Sequence, residues 1–458
     1  MIRCFFNVII EKMIYLDYSA TSPLLPEVKQ EMLRVMELDF GNPSSLHSAG
    51  QLAKTLLNEA RTEIAQLIEA RPLSVIFTSG GSESNNTVVR TFENCPIFVS
   101  SIEHPSVLHP ALAYGNPCVK IPVDKQGIID LDFLRENLEK TIKENPKQKI
   151  LVSVMLANNE TGTCEPVKKV AELITDLKKQ TRAKIYLHTD ATQAVGKIPV
   201  SVQDLNVDYL TFTSHKLGGP VGLAALFVKP GSPFKPLILG GAQESKRRAG
   251  TSNVLLASGF GIACEIAQKN LAEYKKVEEL RNYLARKIKN KIPSAKIISP
   301  IESKAEDSFG FNKENSRIFR GDYERVRSMA GATRSASRSV RLVDEKNPTE
   351  FSRTQKTSTL CLPNILNVSF PAAEGESTQL YLDLENIMVS TGSACASGDL
   401  EPSHVLMAMY HDAEIAHGSV RFSLGLTTTK AEIDQLLEKL PLIIAKIQDL
   451  STIKQEKS

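Results

Sequence analysis

Val75-Ile76-Phe77-Thr78-Ser79-Gly80-Gly81-Ser82-Glu83-Ser84 carries the pattern on which the fold turns. The first four residues are β-branched or aromatic and read as a strand. The Ser/Gly run reads as a turn, and a helix is expected to begin near Glu83. Working outward, the same rhythm recurs at Ile97–Ser100, Ile150–Val154, Ile185–His188 and Tyr209–Thr213, each followed by a helical stretch. Strands separated by helices from about Met13 to Tyr274 predict an α/β layer with a mainly parallel sheet. Ligands of such sheets lie at the carboxyl ends of the strands.

Further out, residues 262–292 read as a charged amphipathic helix or helix pair. A strand is expected at Ile365–Phe370, another around Arg421, and a closing helix from Lys430 to about Lys446. Between them lies an Arg-, Ser- and Gly-rich stretch, about 302–359, with few large apolar residues and no sustained period. Such a stretch cannot bury enough surface to offset its ordering entropy, and it is expected to be a mobile surface insertion. Residues 1–13 contain a short apolar run from Cys4 to Ile10 without a small-residue cleavage site, so an extension or upstream start is expected ahead of Met13 rather than a secretory leader.

Composition narrows the function classes. A chain of 458 residues with 42% hydrophobic and 23% charged residues has the make-up of a globular enzyme large enough to bury a core without staples. No apolar run reaches the ~20 residues needed to span a bilayer, so no membrane partner is expected. The seven cysteines are scattered and free of CxxC pairs, which fits reduced thiols and a cytoplasmic location and argues against a zinc site; no metal is expected. The net charge of +3 resides in residues 301–358, with twelve Lys/Arg against nine Asp/Glu, and the remainder is balanced. There is no global basic field for nucleic acid, and the insertion has few aromatic stacking partners for RNA.

The residues that suggest chemistry sit at the predicted strand ends. Ser79–Ser84 places small residues where backbone N–H groups and a helix start can face a phosphate, although an ordinary helix cap has the same composition. Asp190, in His188-Thr189-Asp190-Ala191-Thr192-Gln193, is a carboxylate in need of a cation or protonated ring nitrogen, or else a structural cap. Lys216, in Thr213-Ser214-His215-Lys216, closes another strand, where a poorly solvated amine is suited to Schiff-base chemistry. Together the three describe a pyridoxal phosphate site. Cys395 lies in Ser390-Thr391-Gly392-Ser393-Ala394-Cys395-Ala396-Ser397-Gly398, whose small polar neighbours suit an accessible nucleophilic thiol. Arg421 offers a planar fork for an α-carboxylate.

With these stretches in view, the chain resembles a cysteine desulfurase of the class-V, fold-type-I pyridoxal phosphate family. The motifs are LDYSATSPLLPEV, GNPSSLHSAG, FTSGGSESNN, SIEHPSVL, MLANNETG, HTDATQAVGK, TSHKLGGP, RRAGTSN, LPNILNVSF, STGSACASG, EPSHVL and VRFSLG. The resemblance implies a large cofactor-binding domain at 24–274 with a mainly parallel central sheet. It also implies a smaller α+β domain from 14–23 and 275–458, which holds the insertion. It implies that Lys216 bonds the cofactor and moves protons, that His104 stacks on its ring, and that Asp190 pairs with the ring nitrogen and Gln193 with the phenolic oxygen. Gly81, Ser82, Thr213 and His215 would hold the phosphate, with Thr251 reaching the phosphate of a neighbouring subunit in a homodimer. Asn159 would contact cofactor or substrate, and Arg421 the carboxylate of L-cysteine. Cys395 would take the sulfur as a persulfide and pass it to an iron–sulfur scaffold or another sulfur acceptor. Ser82 stands where threonine is common and Thr391 where serine is usual, and the insertion is atypical. A selenocysteine lyase would use nearly the same residues, although the STGSACASG loop followed by EPSHVL favours sulfur transfer. A plain aminotransferase or decarboxylase would not need Cys395, and a non-catalytic scaffold would not need the intact Lys216, His104 and Asp190.

Overall fold

The strand registers place the chemistry before any side chain is considered. The computed structural model describes residues 13–38, 41–301, 361–392 and 401–450. Residues 1–12, the Arg/Ser-rich stretch and Cys395 lie outside the described residues. The strands in chain order are β1 (Ile14–Tyr15), β2 (Val75–Thr78), β3 (Ile97–Ser100), β4 (Cys118–Ile121), β5 (Lys149–Ser153), β6 (Lys184–Asp190), β7 (Tyr209–Thr213), β8 (Ala224–Val228), β9 (Lys296–Ile297), β10 (Ile365–Ser369), β11 (Ile387–Met388) and β12 (Ser419–Ser423).

A seven-stranded sheet runs in the order β2-β8-β7-β6-β5-β3-β4. Only β8 opposes its neighbours; the remaining strands run parallel to one another. The α/β class with a mainly parallel sheet is therefore as expected. Residues alternate between two apolar layers: Val75, Phe77, Val152, Leu187, Leu210 and Phe212 face one core, while Ile76, Val99, Leu151, Tyr209 and Leu226 face the other. A sheet covered on both faces needs apolar residues at consecutive positions, which is why these strands read as near-continuous hydrophobic runs.

The covering helices follow from spacing. In the helix Val167–Thr181, the buried residues Val167, Val170, Ala171, Ile174 and Leu177 recur at one face of a 3.6-residue period. The expected helix or pair at 262–292 is a pair, Val254–Asn270 and Tyr274–Lys291, broken by a short 3₁₀ turn at Leu271–Glu273. The first begins eight residues earlier than the charge pattern suggested, because the Asn253 side chain accepts from the Leu256 N–H at 3.0 Å and caps it. Gly261 lets this helix press on Ser48–Leu67: a Cβ there would lie 2.8 Å from Ala60 Cα.

A second core gathers around the three-stranded antiparallel sheet β12-β10-β9. Leu366, Val368, Val420 and Phe422 pack there with Val277, Leu284 and Ile288 and with the closing helix Lys430–Leu450. That helix runs beyond Lys446 because Ile447 extends its buried face. β1 pairs parallel with β11, and Asp17 bridges to Ser423, which brings residues 14–17 beside β11 and β12. All described residues fall within one compact unit.

Candidate active site

Thr78 of β2 and Thr213 of β7 are both register partners of Ala224, so the two strand ends flank one β8 residue. The turn Ser79-Gly80 therefore opens beside the end of β7. The helix that follows starts at Gly81, two residues before the expected Glu83, because Gly80 itself serves as the cap. Gly80 contributes no side-chain cap bond, which leaves the first-turn N–H groups without that partner. A Cβ built on Gly80 would meet nothing within 4 Å, while one on Gly81 would come within 3.0 Å of Thr213 Cγ2. The result is a small open cradle at a helix N-terminus, an arrangement suited to an anion.

Asp190 ends β6 and is buried, 6% exposed. Its Oδ2 accepts from Asn85 Nδ2 at 2.7 Å and its Oδ1 from the Thr192 N–H at 2.9 Å. Below it, His188 hydrogen-bonds Ser153 Oγ at 2.8 Å and Thr211 Oγ1 at 3.3 Å. Burial drives its pKa down to about 4, against the pull of Asp190.

Lys216 lies in the 3₁₀ turn Ser214–Leu217 after β7. Its Nζ donates to the carbonyl of Ser19 and to that of Ala20 at 2.5 Å. Ser19 O also accepts from Gln193 Nε2 at 3.0 Å, so one carbonyl joins Lys216 and Gln193. Lys197, buried behind them, donates to Gln193 O at 2.9 Å; burial, then repulsion from Lys216, lowers its pKa to about 7. His215 contacts Thr21 Oγ1 at 3.2 Å, and burial followed by Lys216 and Lys197 lowers its pKa to about 4. His104 caps the helix Pro105–Tyr114 and senses the charges of both Asp190 and Lys216.

Toward β12, Arg421 is 5% exposed. Its Nη2 pairs with Asp17 Oδ1 at 2.8 Å, and its Nη1 donates to the Asn159 carbonyl at 2.9 Å. Among the described residues its Nε has no partner. Glu160, next to Asn159, accepts from Ser403 Oγ at 2.5 Å. Burial lifts its carboxyl to about 7, against that bond and Arg421. Gly392 packs against the same carboxylate, where a Cβ would lie 2.4 Å from Oε2.

Thr251 is exposed. The segment leading to it is held in a strained shape: Glu244, Ser245 and Lys246 all have left-handed backbones, with φ of 47°, 57° and 65°. Glu244 is clamped by Arg61 at 2.7 Å and by the Phe77 N–H at 3.2 Å.

The expected residues Gly81, Asp190, Gln193, Thr213, His215, Lys216 and His104 thus gather at the carboxyl ends of the parallel strands. Buried polar atoms there lack protein partners among the described residues, including Thr213 Oγ1 and Gln193 Oε1. Orphaned donors and acceptors beside an anion cradle, a buried Asp and a lysine fit a phosphorylated aromatic aldehyde. Sequence reading missed the contributions of Asp17, Ser19 and Ala20, of Asn85 and Ser106, and of Glu160. Asp17, Ser19 and Ala20 act from a motif to which no role had been given, whereas Asn85, Ser106 and Glu160 lie inside FTSGGSESNN, SIEHPSVL and MLANNETG, beside residues that had one. Among the described residues no group of three or more His, Cys, Asp or Glu comes together as metal ligands.

Comparison with known proteins agrees with this geometry. The chain matches the family described as aminotransferase class-V over residues 14–316 and 332–436. It is 38% identical to a cysteine desulfurase IscS of Dictyoglomus turgidum, covering 97% of each chain, and 34% identical to the cysteine desulfurase NifS of Azotobacter vinelandii, covering 96% of this chain and 94% of that one. A solved NifS-like protein from Rickettsia africae is 30% identical with a TM-score of 0.74, covering 94% of this chain and 99% of that one. On the length and agreement of these matches, the chain belongs to the aminotransferase class-V family, as a relative of cysteine desulfurases.

Proposed function

We propose that this protein is a cysteine desulfurase that takes sulfur from L-cysteine, releases L-alanine and carries the sulfur as a persulfide on Cys395. The observation that carries the reading is the meeting of Lys216, Asp190 and His104 beside an anion cradle, in a chain similar over nearly its whole length to cysteine desulfurases. Pyridoxal 5′-phosphate is the cofactor this reading requires; when bound, it supplies an electron-withdrawing ring that stabilises negative charge on the substrate.

Each residue then has a task of its own. The first-turn N–H groups of Gly81 and Ser82, with Thr213 and His215, hold the phosphate, and Thr251 of a second copy completes the cradle in a homodimer. Asp190, oriented by two N–H donors, holds a proton on the ring nitrogen. Gln193 takes the phenolic oxygen, and His104 lies against the ring. Lys216 is held at the mouth by two carbonyls and is the base and acid for the substrate carbon. Arg421 and Asn159 bind the substrate carboxylate. The Cys395 thiolate forms a bond to the substrate sulfur as the carbon–sulfur bond breaks. The electron pair remains on carbon and is capped by a proton from Lys216, giving alanine and an enzyme persulfide. The sulfur passes to an iron–sulfur scaffold or another acceptor protein in the cytoplasm. The division into a large unit at 24–274 and a small one at 14–23 and 275–458 is part of this proposal, with Arg421 contributed by the small unit.

Alanine and sulfide release from L-cysteine, with a dithiol present, tests the reading. Both Lys216→Ala and Cys395→Ser are expected to lose more than 99% of turnover, about two decades or more, and Lys216→Ala also loses the bound cofactor's absorbance. Wild-type turnover by Lys216→Ala would refute the assignment. Selenocysteine turned over in place of cysteine, rather than alongside it, would move the protein to the lyases.

A further inference from the structure

Between Asp190 and His104 lies a chain of hydrogen bonds that none of the roles above uses. Asn85 is fully buried on the helix that begins at Gly81. Its Nδ2 donates to Asp190 Oδ2 at 2.7 Å and to Ser106 Oγ at 2.9 Å. A carboxylate only accepts, so it fixes which end of the Asn85 amide faces it and directs both N–H groups. Ser106 Oγ, already accepting from Asn85, sits 2.8 Å from His104 Nδ1 and turns its own proton toward that nitrogen. The Ser106 backbone N–H also donates to His104 Nδ1, at 3.1 Å. A backbone N–H cannot accept, so Nδ1 must present its lone pair and the neutral ring carries its proton on Nε2.

We infer that Asn85 and Ser106 are positioning residues that fix His104 as its Nε2–H tautomer while bracing the Asp190 carboxylate, so that the two groups are set by one network. The inference rests on the reading that His104 and Asp190 flank the cofactor, and it deepens that reading. Its consequence is that His104 stays neutral. A proton on Nδ1 would face the Ser106 N–H, so the ring could take one only by turning out of the network. The other groups around the ring are Asp190, which favours the charged form, and Lys216, His404 and His109, which oppose it; burial opposes it most. The adjacent Glu103 is fully buried with its carboxyl pushed well up, and adds little charge.

The experiment reads His104 directly. The full chain, with ring-labelled histidines, is titrated by ¹⁵N NMR without and with pyridoxal phosphate, as wild type, Ser106→Ala, Ser106→Thr and Asn85→Ala; His104→Gln assigns the signal. Wild-type His104 is expected to be the neutral Nε2–H form. Removing one hydrogen bond to the neutral ring in Ser106→Ala should raise its proton affinity about three- to tenfold. Asn85→Ala should move it in the same direction, and Ser106→Thr should restore the wild-type titration. A wild-type ring protonated on Nδ1, or Ser106→Ala titrating like wild type, would overturn the inference. The measurement on the cofactor-free chain stands apart from the proposed function, whose failure would show as no lysine-bound cofactor absorbance at all.

Discussion

Arg421, which we propose grips the substrate carboxylate, illustrates how a single side chain can be prepared for a ligand. Two of its nitrogens are spoken for, one by Asp17 and one by the Asn159 carbonyl, so the guanidinium plane is fixed before substrate arrives. A buried ion pair of this kind adds little stability for its desolvation, but it removes the rotational freedom that a free arginine would lose on binding. An incoming carboxylate then meets an oriented fork with Nε still to satisfy. Lysine offers one compact charge and cannot reach Asp17, the carbonyl and a carboxylate at once. Arg421→Lys is therefore expected to raise the KM for L-cysteine by about 10- to 100-fold, the worth of a charge-assisted hydrogen bond, while the bound cofactor's spectrum stays as in wild type. Steady-state kinetics beside an absorbance scan would check this. An unchanged KM would remove Arg421 from the substrate site.

At the scale of elements, the first turn of the helix Gly81–Thr91 decides whether the anion cradle keeps its shape. Glu83 Oε2 accepts from the Ser79 N–H at 2.7 Å, and its two oxygens pair with Arg248 at 3.0 and 3.2 Å. One half-buried carboxylate thus ties the glycine turn to the segment that carries Thr251. Glu83→Ala removes a helix-start bond and leaves Arg248 without this partner. It should destabilise the chain by about 1–2 kcal/mol and weaken pyridoxal phosphate binding, whereas Glu83→Gln should retain the Ser79 contact and most of the stability. Denaturant titration and cofactor binding separate the two; equal behaviour of Ala and Gln would show the clamp to be idle.

Five of the large sheet's strands were legible because apolar periodicity is a local property: β7 falls at 209–213 as read, and β2 at 75–78, whereas β4 and β8 were not read. Strand ends were legible too, and with them Asp190 and Lys216. The network was not. The Ser19 carbonyl on Lys216, Asp17 on Arg421 and Asn85 on Asp190 join residues 197, 404 and 105 positions apart. No periodicity encodes such partners, because they are fixed by sheet order. Helix starts also slipped, since the cap at Gly80 is backbone alone and that at Asn253 precedes the charged pattern.

For the molecule as a whole, burying this much titratable chemistry makes stability depend on pH, and the contributions differ in sign. Glu165 is 5% exposed, with Oε2 accepting from the Ile129 N–H at 3.1 Å and Oε1 without a partner among the described residues. Burial lifts its carboxyl from the ordinary 4.5 to about 8. Below pH 4.5 it is protonated in both folded and unfolded chains. Between there and pH 8 the unfolded chain has lost that proton and the folded chain keeps it, so stability falls as pH rises and levels off above 8. Glu160 acts likewise up to about pH 7. His188 and His215, held neutral down to about pH 4, act oppositely up to their ordinary 6.5, and Lys197 opposes above about 7. The wild-type profile is therefore a near-cancellation that identifies no single group. A difference between two chains does identify one. Glutamine at 165 can keep the bond from Ile129 and has no proton to lose, so the Tm of Glu165→Gln minus that of wild type should widen from pH 5 to 8 and stay constant beyond. The slope should approach about 1.4 kcal/mol per pH unit, or ~1.5 °C for a chain of this size. A gap that is constant across the range would mean that Glu165 ionises in the folded protein at its ordinary pH, and that water or a counter-charge reaches its second oxygen.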